Sequence, residues 1–127
     1  MTDTVDVLRY ARDVVLDPPQ RWTKGLLARK KGDGLAAPHR SVQEGDRFCA
    51  LGAVERARWE LTGELPAESW VDAELSSEAS ALRRGQQGTW KCVGTYNDSP
   101  GTTFSDVISL FDDAIKTLEA PDRKDDK

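Results

Sequence analysis

The 127-residue sequence has a single histidine, two cysteines and a single methionine, and these shortages remove whole classes of chemistry. A structural zinc site needs four thiolate or imidazole ligands at short spacing, whereas Cys49 and Cys92 lie far apart, His39 stands alone and no C-x-x-C pair occurs. Phosphate-cradling signatures are missing too. Gly32-Asp33-Gly34 and Gly85-Gln86-Gln87-Gly88 lack the strand, lysine and spacing of a P-loop or dinucleotide fingerprint, so no cofactor is expected. Apolar runs such as Val14-Val15-Leu16 fall far short of the roughly 20 residues that cross a bilayer, and no membrane association is expected. The start, Met1-Thr2-Asp3-Thr4, is acidic, and Asp6 and Arg9 interrupt any apolar core of a secretory signal. The expected location is therefore the cytoplasm, where two cysteines read as free thiols rather than a disulfide.

What is present fits one small domain. A chain of this length hides roughly two thirds of its extended-chain surface on folding, enough for a core without staples. Residues 1–120 read as a single helical domain. The tail 121–127, with no apolar residue after Pro121, reads as disordered. Eighteen basic against 22 acidic residues give a net charge of −4, which repels nucleic acid on average and makes another protein the default partner.

The periodicity predicts an all-α (mainly α) fold, a compact bundle of four to five helices. Residues 3–16 carry Val5, Leu8, Ala11 and Val15 on one stripe, widened by Val7 and Val14, with Asp17-Pro18-Pro19 as the stop. Residues 20–29 read as a short helix with Trp22, Leu26 and Leu27. A long loop follows at about 30–46, punctuated by Gly32, Gly34, Pro38 and Gly45. A third helix starts near Asp46 and stops at Gly63, with Cys49, Gly52, Ala53 and Ala57 forming a stripe of small residues that a neighbour approaches closely. Glycine inside a helix costs about 1 kcal/mol against alanine, so Gly52 implies compensation by tight packing. Ser69 to Asp72 has the capping-box form and opens a fourth helix with Leu75, Ala79 and Leu82. Residues 89–97 alternate with a period of two and read as an extended segment, without a convincing partner strand elsewhere. Asn97 to Gly101 is a turn cluster, Thr103 to Asp106 another capping form, and Phe104, Val107, Ile108, Phe111, Ile115 and Leu118 define the clearest helix.

Three constellations carry candidate chemistry. Cys49 in a first helical turn, with His39 as base and Asn97 or Asp98 as orienting group, makes a thiol-enzyme set. The competing reading, which the stripe of small residues favours, is that Cys49 is buried packing. Arg21, Lys24, Arg29, Lys30 and Lys31 beside Trp22 form a basic segment that would hold single-stranded nucleic acid, although the acidic whole disfavours it. Asn97 and Asp98 read foremost as a turn staple, which also supplies an acceptor for an indole N–H of Trp22 or Trp90. Neighbouring acids such as Glu55 with Glu60 and Asp112 with Asp113 read as a solvated face.

Together Trp22 with Gly25, the run Phe48 to Ala53, Tyr96-Asn97-Asp98 and the last helix with Val107, Phe111 and Ile115 resemble an uncharacterised family of small domains from actinobacteria and their phages. That resemblance implies an all-helical fold and a phage or mobile-element origin, hence a host cytoplasm if phage-encoded. It supplies no reaction. The functional expectation is a non-enzymatic interaction or accessory module that binds a host or cellular protein, with Trp59, Trp70, Trp90, Arg29, Lys30 and Lys31 as the interaction surface. A thiol-dependent enzyme and a weak single-stranded nucleic-acid binder are the alternatives.

Overall fold

The computed structural model describes residues 3–24, 27–30, 42–67, 69–85 and 92–119. Asp3 accepts from the Asp6 backbone N–H while Asp6 reaches back to the Asp3 N–H, and this reciprocal cap starts α1 (Thr4–Tyr10). The helix then widens into a π-helical stretch, Ala11–Val15, closed by the Leu16 N–H on the Ala11 carbonyl at 2.9 Å. The extra residue per turn brings Leu16 into the core beside Val7, Leu8, Ala11 and Val15. Val14, expected on the apolar stripe, is rotated out into solvent.

No α-helix occupies the described part of 20–29. Pro19–Arg21 makes one 3-10 turn, and Ala28–Arg29 (β1) pairs antiparallel with Arg47–Phe48 (β2), in the register Ala28 with Phe48 and Arg29 with Arg47. A parallel bridge joins Trp22 to Phe48. The backbone groups that a helix would have satisfied internally are satisfied here by 46–49. The Thr23 N–H donates to the Phe48 carbonyl at 2.9 Å, the Cys49 N–H to Leu27 at 3.3 Å and the Asp46 N–H to Arg29 at 2.8 Å. The sequence expectation of a short helix over 20–29 is corrected accordingly. These bonds also fix both ends of the long loop, whose residues 31–41 lie outside the described residues, as does the tail 121–127.

With 47–48 extended, the third helix starts at Ala50 instead of near Asp46. This helix, α2 (Ala50–Thr62), ends as read from the sequence at Gly63, a left-handed C-cap with φ 82°. Its stripe of small residues, Gly52, Ala53 and Ala57, is buried, and α2 touches α1, the π-helical stretch and the next three helices in the chain.

The expected fourth helix is two. Ser69 caps α3 (Trp70–Glu74), and Ser76 then ends the run: its hydroxyl donates to the Ala73 carbonyl and accepts from the Ala79 N–H at 3.0 Å, capping α4 (Ser77–Gly85). Leu75, expected on the apolar stripe, falls at the break and points outward, while Ala79 and Leu82 are buried as expected.

The expected extended segment is a helix over its last residues, α5 (Val93–Asp98). Its first N–H groups find an acceptor from another element: the Glu74 carboxylate takes Val93 N–H at 3.1 Å and Gly94 N–H at 2.9 Å. Residues 89–91 lie outside the described residues. The last helix, α6 (Phe104–Glu119), buries Val107, Leu110, Phe111, Ala114 and Ile115 against α4 and α1. The fold is mainly α, with six α-helices and a two-stranded sheet among the described residues.

Candidate functional site

Among the described residues that stood out in the sequence, Trp22, Phe48, Cys49, Gly52 and Asn97 converge at the N-terminus of α2, and they serve the fold. Cys49 is the N-cap of α2. It is 0% exposed, and its sulfur accepts from the Gly52 N–H at 3.4 Å. Burial pushes the thiol up to about 12, since a thiolate there has no water, and the charge of Asp98 acts in the same direction. The sequence placed this sulfur in the first helical turn; it sits one position earlier, as the cap itself. Gly52 lies under the backbone of Leu27: a Cβ built on it would stand 1.8 Å from the Leu27 carbonyl oxygen. Only glycine lets the chain before β1 cross α2 that closely.

Asn97 is 0% exposed and uses both ends of its amide. Its Oδ1 accepts from Trp22 Nε1 at 2.6 Å and from the Ala50 N–H at 3.0 Å, and its Nδ2 donates to the Thr23 carbonyl at 3.1 Å and to Asp98 Oδ1 at 2.9 Å. One side chain thereby ties three segments together: the stretch after the 3-10 turn, the first turn of α2, and α5. Trp22 in turn packs against Phe104 of α6, with ring centroids 6.2 Å apart. Phe48 is buried between the guanidinium groups of Arg21 and Arg56, 5.8 and 5.7 Å from its ring centre. Tyr96 is half-buried, and its carbonyl accepts from the Thr102 hydroxyl at 2.7 Å.

The basic segment is largely tied inward. Arg21 donates to the carbonyls of Val14 at 3.1 Å and Asp46 at 3.3 Å, Lys24 to Ser99 at 2.6 Å, and Arg29 to the Thr23 hydroxyl at 3.1 Å. Lys30 is exposed. Trp59, expected on an interaction surface, is half-buried beneath the Arg56 guanidinium at 5.1 Å. Gly25, Lys31, His39, Trp90 and the side chain of Trp70 lie outside the described residues.

Sequence reasoning missed two features. Glu55, read as part of a solvated acidic face, is 2% exposed, and Glu78 is 5% exposed. Arg58 lies between them, bonding Glu55 at 3.0 and 3.1 Å and Glu78 at 2.7 Å. Burial opposes the charge on Arg58, but the hydrogen bond to Glu78 and the field of both carboxylates outweigh it and raise its pKa. The second is the outer side of α3. Val71 and Leu75, one turn apart, are 71% and 76% exposed, and Val71 borders a cleft of about 590 Å³ between α3 and α5. Val71, Glu74, Cys92, Thr95 and Asp98 are among its lining residues. The period-3.6 stripe carried a signal for Leu75 as an apolar position, but its outward direction follows from the break at Ser76.

Among the described residues, no group of three or more His, Cys, Asp or Glu could hold a metal ion, and no helix is long and apolar enough to cross a membrane. No curated protein and no solved structure matches the chain. Residues 1–117 do match a family of unknown function, DUF6197, and by that match, which takes in the Trp22, Cys49-to-Ala53 and Asn97 cluster, the chain belongs to that family.

Proposed function

We propose that this chain is a non-enzymatic protein-interaction module, an accessory protein of phage or actinobacterial origin that acts in the cytoplasm on a host or cellular protein. One observation carries the reading: Cys49 and Asn97 are absorbed by the fold, while Val71 and Leu75 on the outer side of α3 stand in water. A nucleophile must be ionised and reachable, and Cys49 is closed off with its pKa pushed up to about 12. A phosphate binder needs cations facing solvent, and Arg21, Lys24 and Arg29 are anchored to neighbouring segments. Exposed Val71 and Leu75, by contrast, gain from being covered, and apolar surface at a cleft is the usual mark of an interface.

The test is site-specific photo-crosslinking in the cells that make the protein, with the crosslinker at position 71 and, as a control, at the exposed Thr117 of α6. A discrete protein adduct at 71 and none at 117 supports the module. No adduct at 71, or the same adducts at both positions, overturns it.

A further inference from the structure

Helix α5 is held by its neighbours more than by itself. Its six residues are far fewer than the roughly 12–15 that an isolated helix needs, and Val93-Gly94-Thr95 combines two β-branched residues with glycine. The period-two alternation of 89–97 adds a local preference for extended chain. Cys92, the N-cap, gives the first N–H groups no side-chain bond, and its sulfur lies 2.7 Å from the Thr95 hydroxyl. The cap comes from α3 instead: Glu74 Oε1 accepts from Val93 at 3.1 Å and Oε2 from Gly94 at 2.9 Å. Arg83 of α4 sets that carboxylate in place, donating to Glu74 Oε1 and to the Glu74 carbonyl, both at 2.8 Å.

The other end of α5 is secured independently. Asn97 makes its four bonds, the Ser99 hydroxyl donates to the Thr95 carbonyl at 2.8 Å and the Thr102 hydroxyl to the Tyr96 carbonyl at 2.7 Å. At the Glu74 end, apolar anchoring is limited to Val93, which is buried. Of the described side chains of α3, Ala73 alone is buried.

We infer that α5 is a conditional helix with Glu74 as its latch. Val93 to Thr95 are helical while Glu74 is seated and turn extended when it is withdrawn, with Asn97 as the fixed hinge. The device couples α3 to α5. Displacement of α3, or loss of the Glu74 charge, removes the cap, and the cleft wall that carries Cys92 and Thr95 opens while α1, α2, α4 and α6 stay folded. The coupling needs no partner and stands apart from the interaction reading.

The test is amide hydrogen exchange by NMR on the full chain, with Phe111 and Ile115 of α6 as reference and the Trp22 indole N–H as the report on Asn97. In the wild type, Val93, Gly94 and Tyr96 should exchange at least about tenfold faster than α6, because a local opening lies below global unfolding. Glu74→Gln keeps the size and removes the charge. It should speed those three amides about tenfold further, move the Cα shifts of 93–95 toward extended values and raise the iodoacetamide labelling rate of Cys92. The α6 amides and the Trp22 indole should stay within about twofold of the wild type. Arg83→Met, which leaves the carboxylate but frees it, should give the same pattern at about threefold. A single exchange rate for α5 and α6 in the wild type, or equal acceleration of both by Glu74→Gln, overturns the inference. So does indifference of Val93 and Gly94 to Glu74→Gln, or loss of Trp22 indole protection together with α5. Should Glu74→Gln fail to fold, the wild-type rates and Arg83→Met decide by the same criteria.

Discussion

The indole of Trp22 donates a 2.6 Å hydrogen bond to the side chain of Asn97, 75 positions away, and the same Asn97 oxygen receives the first N–H of α2 from Ala50 at 3.0 Å. This link makes the motif residues one structural device. A buried amide that makes four hydrogen bonds is hard to replace, because every partner left behind is itself desolvated.

Asn97→Ala should destabilise the protein by about 3–5 kcal/mol, measured by denaturant unfolding, since it orphans both donors and both acceptors. Trp22→Phe keeps the contact with Phe104 and loses one bond, so about 1–2 kcal/mol is expected. Asn97→Asp is the sharpest variant. It sets a carboxylate oxygen against the Thr23 carbonyl and Asp98, so the introduced carboxyl should have a folded pKa above its unfolded one. The folded state then binds more protons, and the variant's stability should fall as pH rises through that range. A variant of Asn97 within a few tenths of a kcal/mol of the wild type would mean that the amide does not join the three segments.

Gly52→Ala reverses the ordinary helix preference. In an exposed helix the change would gain up to about 1 kcal/mol. Here the new methyl would meet the Leu27 carbonyl oxygen at 1.8 Å, and backbone cannot rotate away as a side chain can. A loss of about 3 kcal/mol is expected in chemical denaturation. A neutral or stabilising result would show that the segment before β1 is not seated on α2.

Much of this arrangement was legible in the sequence where the cause is local. The stripe of α6, the cap at Ser69, the stop at Gly63, and Asn97 as a turn staple that offers an acceptor to Trp22 or Trp90 all follow from spacing and residue type. The failures have causes far along the chain. Helix α5 exists because Glu74, 19 positions before it, caps its first N–H, and nothing in the alternation of residues 89–97 encodes that. Two-residue strands carry no period, so the pairing of Ala28–Arg29 with Arg47–Phe48 left no trace. Glu55 reads as a surface acid because its burial depends on Arg58 and on Glu78. The outward face of α3 was invisible for a related reason: whether Leu75 continues a stripe or marks its end turns on whether Ser76 bonds the backbone.

Cys49 should be silent toward iodoacetamide in the folded protein at neutral pH, with Cys92 the single labelled thiol, and both should react after unfolding. The raised pKa also gives a pH signature. The thiol holds its proton up to about 12 in the fold, against an ordinary value of 9.0, so the folded state binds more protons between those limits. The stability from protecting it is complete below that window and is lost as pH climbs through it. The stability difference between wild type and Cys49→Ala should therefore be flat below that window and shrink as pH rises through it. Rapid labelling of Cys49 in the native state would place the sulfur at an open surface instead of inside the α2 cap.

Arg58→Met tests whether the buried ion pairs are compensated. The guanidinium is the counter-charge that Glu55 and Glu78 share, and Glu55 also holds the Ala67 N–H at 2.7 Å. With the charge removed, two carboxylates remain in a site that excludes water, and a loss of about 3–5 kcal/mol is expected near pH 7. A carboxylate left without its counter-charge is relieved by taking up a proton, so the deficit relative to the wild type should narrow as pH is lowered. Adding Glu55→Gln and Glu78→Gln to Arg58→Met removes both orphaned charges and should recover part of the loss at neutral pH. A deficit that is independent of pH and not relieved by the glutamines would mean that Arg58 stabilises the fold through its packing on α2 and α4, not through its charge.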